Sequence, residues 1–407
     1  MTRQSDTTPR TLLVTITGRD RPGLTAELFS VFSTFDVEVL DIEQVTIRGH
    51  LTLATLLSHA DNEPKLRQDL AGVAERLDVE LEITAGHGDH HRAPGRAHVT
   101  ILGFPLRPSA IGALAGAVAK AGANIDRIVR LASYPVTSIE FEVSGAEPSH
   151  LKTELAAVAL SEGVDVAVQP SGLLRRAKRL VVMDVDSTLV QGEVIEMLAQ
   201  RAGVLDQVAE ITARAMRGEL DFADSLRARV RFLRGLPATA LDEVRDAVAL
   251  TPGARTLIRT LKRLDYRCAI VSGGFTHITD SLAANLGIDH VAANTLEVVD
   301  AVLTGELVGP VLDRAGKAAA LIRFARREGV PLSQTVAIGD GANDLDMIAA
   351  AGLGIAFNAK PMVRDAADTA VNVPYLDAIL YLLGISREDI EAADAADGSP
   401  TPAPPVR

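Results

Sequence analysis

Two aspartates, Asp184 and Asp186, stand two residues apart just after the apolar run Leu180–Met183 of this 407-residue chain. Alternate residues of an extended backbone point to one side, so the two carboxylates share a face. Like charges this close are costly unless a cation or a shared proton relieves them. A hard divalent cation such as Mg2+ is the natural partner for oxygen ligands. One carboxylate can then attack phosphorus while the other handles protons.

Three further stretches have the residue types to serve such a site. Val271-Ser272-Gly273-Gly274-Phe275 puts a hydroxyl and two glycines after a strand, where backbone can approach an anion closely. Lys317 falls at the start of a helix, against the local dipole, and so calls for a negative partner. Ile338-Gly339-Asp340-Gly341-Ala342-Asn343-Asp344 adds two carboxylates and an amide after another strand. Nucleotide loops fail on inspection. Gly316-Lys317 has Val311 and Ala318 where a P-loop needs glycine and Ser/Thr, and Gly339-x-Gly341 ends on Asp344 instead of glycine.

The elements that must position these residues follow from the apolar pattern. Short strands at Leu180–Met183, Arg267–Val271, Val291–Ala293, Thr335–Ile338 and Gly354–Ala356 alternate with helical stretches, which predicts a parallel α/β sheet. Glu193 to Val248 is helical in pattern and too long for one crossover, so an inserted helical cap is expected at about 193–250. Upstream, Val14-Thr15-Ile16 through Arg21-Pro22 is echoed by Val99-Thr100-Ile101 through Arg107-Pro108. Each copy reads strand, helix, strand, half of a β-α-β-β-α-β unit. Two small ferredoxin-like α+β domains are expected at 10–85 and 97–170, a phosphate-handling domain at 180–390, and a disordered Pro-rich tail at 392–407. The linker between the repeats, with His87, His90 and His91, reads as solvated polypeptide.

Composition narrows the classes. There are 41 Lys+Arg against 53 Asp+Glu, a net charge of −12, which argues against a nucleic-acid-binding face. Tryptophan is absent and aromatics are 3%, so stacking platforms for single strands are unexpected. The polar start MTRQSDTTPRTLL has no apolar signal core, and no uncharged apolar stretch approaches the roughly 18–20 residues that span a bilayer. A cytoplasmic protein without membrane or nucleic-acid partners is expected. The single cysteine, Cys268, fits a reducing compartment.

Taken together and in order, DVDSTLVQGE, VSGGF, Lys317 and GDGANDLDM resemble the haloacid-dehalogenase superfamily of aspartate-nucleophile phosphatases, over about 180–385. Within it they are similar to the branch acting on O-phospho-L-serine at the end of serine biosynthesis. The resemblance implies a Rossmann-like parallel-sheet core with a helical cap. It implies Asp184 as nucleophile, Asp186 as acid and then base, and Mg2+ held by Asp184, the carbonyl of Asp186 and Asp340. Ser272, Gly273 and Lys317 would bind the phosphoryl group, with Asn343 close by and Asp344 positioning Lys317. Glu193 and Arg229 match the family's substrate contacts. A zwitterionic amino acid needs such a pair, a carboxylate for its ammonium and a cation for its carboxylate. Met216 and Phe222 would wall the cap.

The N-terminal pair resembles ACT domains, regulatory modules that often bind amino acids. That implies an effector such as L-serine and a homodimer formed edge to edge. Gly18, Asp20, Arg21 and Gly23 form a glycine-bounded turn into a helix, with N–H groups free for a carboxylate. The second copy, Gly103 to Ser109, lacks the acid and the second glycine, so the first copy is the better candidate. Two other readings stay open. One is another small-metabolite phosphatase or phosphotransferase, the other an amino-acid sensor with a vestigial phosphatase domain.

Overall fold

Leu12, Val14 and Ile16 alternate along one strand, and that alternation places them under two helices. In the computed structural model, which describes residues 10–87, 95–216 and 219–399, the chain divides after Arg92 into two units. The first is an antiparallel sheet of β1 (Arg10–Arg19), β2 (Val39–Ile47), β3 (His50–Ser58) and β4 (Val79–His87), in the order β2-β3-β1-β4. The helices Leu24–Phe32 and Glu63–Leu77 bury Leu24, Leu28, Leu66 and Leu70 against the core face of β1 and β3.

The second unit opens with the same topology. β5 (Ala97–Gly103), β6 (Asn124–Ala132), β7 (Thr137–Ser144) and β8 (Asp165–Pro170) run in the order β6-β7-β5-β8 beneath the helices Pro108–Lys120 and Pro148–Glu162. A seven-stranded sheet follows. Its strands are β9 (Leu180–Met183), β10 (Arg267–Phe275), β11 (His290–Val299), β12 (Val302–Val308), β13 (Thr335–Gly339), β14 (Gly354–Phe357) and β15 (Thr369–Val371). The order is β12-β11-β10-β9-β13-β14-β15, and only the β11–β12 pair is antiparallel. β9, wholly buried, is the central strand, with Met183 opposite both Ile270 and Ile338. Ligands of open α/β sheets sit beyond such carboxyl ends.

Between β9 and β10 the helices Val194–Ala202, Leu205–Met216, Phe222–Arg231 and Thr239–Ala247 form the insertion, and Ala254–Arg263 returns the chain to the sheet. None of the described helices is long and apolar enough to cross a membrane.

The second small sheet is fused to the parallel sheet. Leu102, Leu131 and Val136 belong to one buried cluster with Leu376, Tyr381 and Leu382. Polar groups clamp the same seam. Asp165 accepts from both the backbone N–H and Nδ2 of Asn372 at 2.6 Å, and Gln169 Nε2 donates to the Leu382 carbonyl at 2.7 Å. Arg175, in the connecting segment, pairs with buried Glu140. Phe104, in the loop equivalent to the candidate effector turn of the first repeat, sits edge-on to Tyr375 at 6.5 Å.

One expectation needs correction. Residues 392–397, read as disordered tail, complete the helix Arg387–Asp397. Ser386 and Asp389 form a reciprocal cap at its start, and buried Asp394 pairs with Arg259 at 2.7 Å and Arg263 at 2.6 Å. A helix with local caps and a buried ion-pair anchor has reason to order. Residues 400–407 lie outside the described residues.

Candidate active site

Three adjacent strand ends deliver the chemistry. Asp184 follows β9, Ser272 and Gly273 lie at the end of β10, and Asp340 follows β13. The backbone N–H of Asp184 donates to the Ile338 carbonyl at 2.9 Å, which ties its position to the neighbouring strand. Next, residues 185–189 make a wide turn in which Ser187 has φ 57°. A left-handed serine costs of order 1–3 kcal/mol and persists where surrounding structure over-determines it.

That turn swings Asp186 into place. Its Oδ1 accepts from the Val194 N–H at 2.8 Å, and its Oδ2 accepts from Ser272 Oγ at 3.1 Å. Ser272 Oγ in turn accepts from the Gly274 N–H at 2.8 Å. A side chain at either glycine of β10 would displace a group of the site. A Cβ on Gly274 would stand 2.8 Å from Asp186 Oδ2, and one on Gly273 would stand 2.8 Å from the ring of Phe222. The cap therefore touches the core at Gly273, through the first residue of the helix Phe222–Arg231.

Lys317, on the helix Arg314–Glu328, is wholly buried, with Nζ 2.7 Å from Asp184 Oδ1 and 2.7 Å from Asp344 Oδ1. Asp344 also accepts from the Gly341 N–H at 3.0 Å, so it braces both the lysine and the loop after β13. Burial alone would lower the Lys317 pKa, but the charges of Asp184 and Asp344 outweigh it and raise it. Burial, together with the Asp344 charge, pushes the Asp184 carboxyl well above its usual range, against the pull of Lys317. Burial also raises Asp186, opposed by the Val194 N–H. Asp340, steadied by Thr188 Oγ1 at 3.1 Å, is pushed up to about 6 by burial and then by Asp344.

Asp184, Asp340 and Asp344 each offer an oxygen within 4.8 Å of the others. This group contains Asp344, where the sequence expectation had the carbonyl of Asp186. Asp184 Oδ1 is buried and faces Lys317 Nζ at 2.7 Å. A cluster of three carboxylates around one lysine fits a hard divalent cation.

The specificity candidates face the same cavity of about 470 Å³, as do Asp184, Asp186, Gly273, Asp340 and Asn343. Glu193 precedes the helix Val194–Ala202 and accepts from Ser187 Oγ at 3.1 Å. Burial, then the Asp186 charge, pushes its carboxyl up to about 7. Arg229 lies on the helix Phe222–Arg231, where burial lowers its pKa against the opposing charges of Glu193 and Asp186. Phe222 lines the cavity as well. Met216 closes its helix, and its side chain lies outside the described residues.

Sequence reasoning passed over Thr188, although it sits within the first motif. It also passed over Arg314, at the cavity wall and held to Asp346 at 2.7 Å, and Lys360, which ends the loop after β14. The effector candidates are placed on the first unit by themselves. Gly18 is in β1, Asp20 N–H donates to the Gly49 carbonyl at 2.8 Å, Arg21 donates to the Leu77 carbonyl, and Gly23 precedes Leu24–Phe32 at φ 93°. Of the expected linker histidines, His87 ends β4, while His90 and His91 lie outside the described residues.

Comparison with known proteins agrees with this geometry. A haloacid dehalogenase-like hydrolase family matches residues 181–349, and ACT domain families match 10–84 and 96–169. A phosphoserine phosphatase of Streptomyces coelicolor is 60% identical over 387 residues, 94% of each chain. One of Mycobacterium tuberculosis is 53% identical over 393 residues, 95% of this chain and 96% of the relative. Among solved structures, a probable phosphoserine phosphatase from Vibrio cholerae covers 74% of this chain and 91% of its own at a TM-score of 0.59 and 34% identity.

Proposed function

The chain belongs to the phosphoserine phosphatases, a branch of the haloacid dehalogenase-like hydrolases, and we infer that it converts O-phospho-L-serine and water to L-serine and phosphate. The observation that carries this reading is one cavity lined by Asp184 and Asp186 together with Glu193 and Arg229. It joins the means to cleave a phosphate ester to the means to hold an amino acid. The ACT domains fit amino-acid regulation of that reaction.

The steps follow from the residues. The Asp184 carboxylate attacks phosphorus, and the P–O bond to the seryl oxygen breaks. Asp186, whose burial favours the protonated form, gives its proton to that oxygen. L-serine leaves, and Asp186 takes a proton from the water that attacks the aspartyl-phosphate. Phosphate departs and Asp184 is restored. Lys317, Ser272 and the Gly273 N–H stand to receive the phosphoryl oxygens, with Asn343 at the cavity wall. Asp184, the Asp186 carbonyl and Asp340 would hold Mg2+, which supplies positive charge against the phosphate and the clustered carboxylates. Glu193 receives the substrate ammonium and Arg229 its carboxylate. Phe222, packed on Gly273, shields the reaction from water.

The chain divides into domains at 10–85, 97–170 and 180–390, with its cap at about 193–250. The protein acts in the cytoplasm, in keeping with its lone buried thiol, Cys268. It works as a homodimer through its ACT domains, without nucleic-acid or membrane partners. L-serine binds as effector at Gly18, Asp20, Arg21 and Gly23.

Phosphate release from O-phospho-L-serine should require Mg2+ and vanish in Asp184→Asn. Full activity in that variant overturns the mechanism. For regulation, an L-serine titration of the full chain should lose its response in Asp20→Ala. An unchanged response removes that turn from sensing.

A further inference from the structure

The cavity wall contains a buried hydroxyl that the mechanism leaves without a task. Ser225 lies on the helix Phe222–Arg231, one turn before Arg229, and lines the cavity. It is 2% exposed, and among the described residues its hydroxyl has no hydrogen-bond partner. A buried hydroxyl left unpaired is destabilising. A helical serine ordinarily has an outlet in the carbonyl four residues back. Thr212, which lines the same cavity, uses that outlet, with Oγ1 3.0 Å from the Val208 carbonyl. Ser225 does not, although its own N–H bonds to the Asp221 carbonyl in regular helix at 3.0 Å.

Its surroundings define the missing partner. Arg229 Nε faces the Ser225 carbonyl at 3.4 Å, so the guanidinium folds back onto the turn that carries the hydroxyl. The hydroxyl and the guanidinium thus lie on one turn of the helix, and both residues line the cavity. The charges of Glu193, Asp186 and Glu196 also act on Arg229, and an anionic ligand oxygen is the partner to which guanidinium and hydroxyl can both donate. We propose that Ser225 is a specificity-determining residue whose hydroxyl donates a hydrogen bond to the substrate carboxylate held by Arg229. The proposal rests on the phosphoserine reading. It assigns the carboxylate two kinds of contact, charge from Arg229 and a directional neutral donor from Ser225.

The test compares O-phospho-L-serine with O-phosphoethanolamine, which keeps the phosphate ester and the ammonium but has no carboxylate. In Ser225→Ala of the full chain, the ratio of kcat/KM for the two substrates should fall about tenfold in favour of O-phosphoethanolamine. The loss should be carried by KM for phosphoserine. Because the change removes an unpaired buried hydroxyl, the thermal midpoint should hold or rise. Ser225→Cys, near in size and a weak donor, should shift the ratio the same way and covers the case of an unstable alanine variant. A ratio unchanged in both variants, or equal losses on both substrates, overturns the assignment. Wild-type protein inactive on phosphoserine would instead overturn the reading beneath it.

Discussion

Lys317 Nζ lies 2.7 Å from Asp344 Oδ1, and neither side chain has any exposed surface. This is how a lysine in the first turn of a helix is accommodated against the dipole: Asp344 and Asp184 supply the opposing charge. Removing one partner of a buried pair typically costs about 3–5 kcal/mol, because the other is left uncompensated. Lys317→Met is expected to lose stability on that scale in urea unfolding of metal-free protein, and to release no phosphate when Mg2+ is supplied. An unchanged unfolding midpoint would mean that Asp344 and Asp184 carry no charge for Lys317 to balance.

Glu193 gives the activity an acid limb. Its carboxyl, pushed up to about 7 by burial and Asp186, must be ionised to receive an ammonium group. Above that pH the acceptor is charged, and below it the charge is lost. kcat/KM for phosphoserine is therefore expected to fall as pH drops through about 7, mainly through KM. Glu193→Gln should lower kcat/KM by about 10- to 100-fold and flatten that part of the profile, since its amide does not titrate. A profile of the same shape in the variant would assign the limb elsewhere.

The motifs that make the site were legible because they are local. β9 and β13 are short apolar runs, and the carboxylates come directly after them, so strand ends and chemistry could be read together. Glu193 and Arg229 could be read only with the family pattern, because they stand 36 positions apart across a helical connection. Long-range joins left no local mark. Nothing near Asp165 announces Asn372, 207 positions away, and the apolar face of Leu102 and Val136 looks like ordinary small-domain core until Tyr381 is packed on it. The helix Arg387–Asp397 was missed for another reason. Ser386-x-x-Asp389 is a local start signal, but the Pro-rich sequence just beyond it dominated the reading.

The shared seam changes how regulation should be probed. Cutting the chain near residue 175 would strip Leu102, Leu131 and Val136 from the cluster containing Tyr381 and Leu382. Such a fragment is expected to be unstable irrespective of any effector. Within the intact chain, Asp165→Ala leaves the Asn372 N–H and Nδ2 without their acceptor and should cost about 1–3 kcal/mol. Residues 95–399 should still unfold in one step, followed by hydrogen exchange at β8 and β15. Separate transitions for these two strands would show that the seam is weaker than its contacts imply.

Metal removal should unmask a pH dependence of stability contributed by the acidic cluster. Burial raises Asp340 to about 6 and Asp184 well above its usual range, whereas both titrate near 3.9 in an unfolded chain. A carboxyl whose folded pKa exceeds its unfolded one favours folding while protonated. That contribution is complete below about pH 4 and is lost as pH rises through the folded value. In chelator, the thermal midpoint should therefore carry a downward component between about pH 4 and 7. Saturating Mg2+ should remove it, because a cation bound to the folded state favours the ionised carboxylates and stabilises by mass action. Other acids titrate over the same range, so the quantity to measure is the difference between midpoints with and without Mg2+. It should widen with pH in the wild type and much less in Asp340→Asn, where one of the raised carboxyls is gone. A constant difference across that range would detach Mg2+ binding from these aspartates.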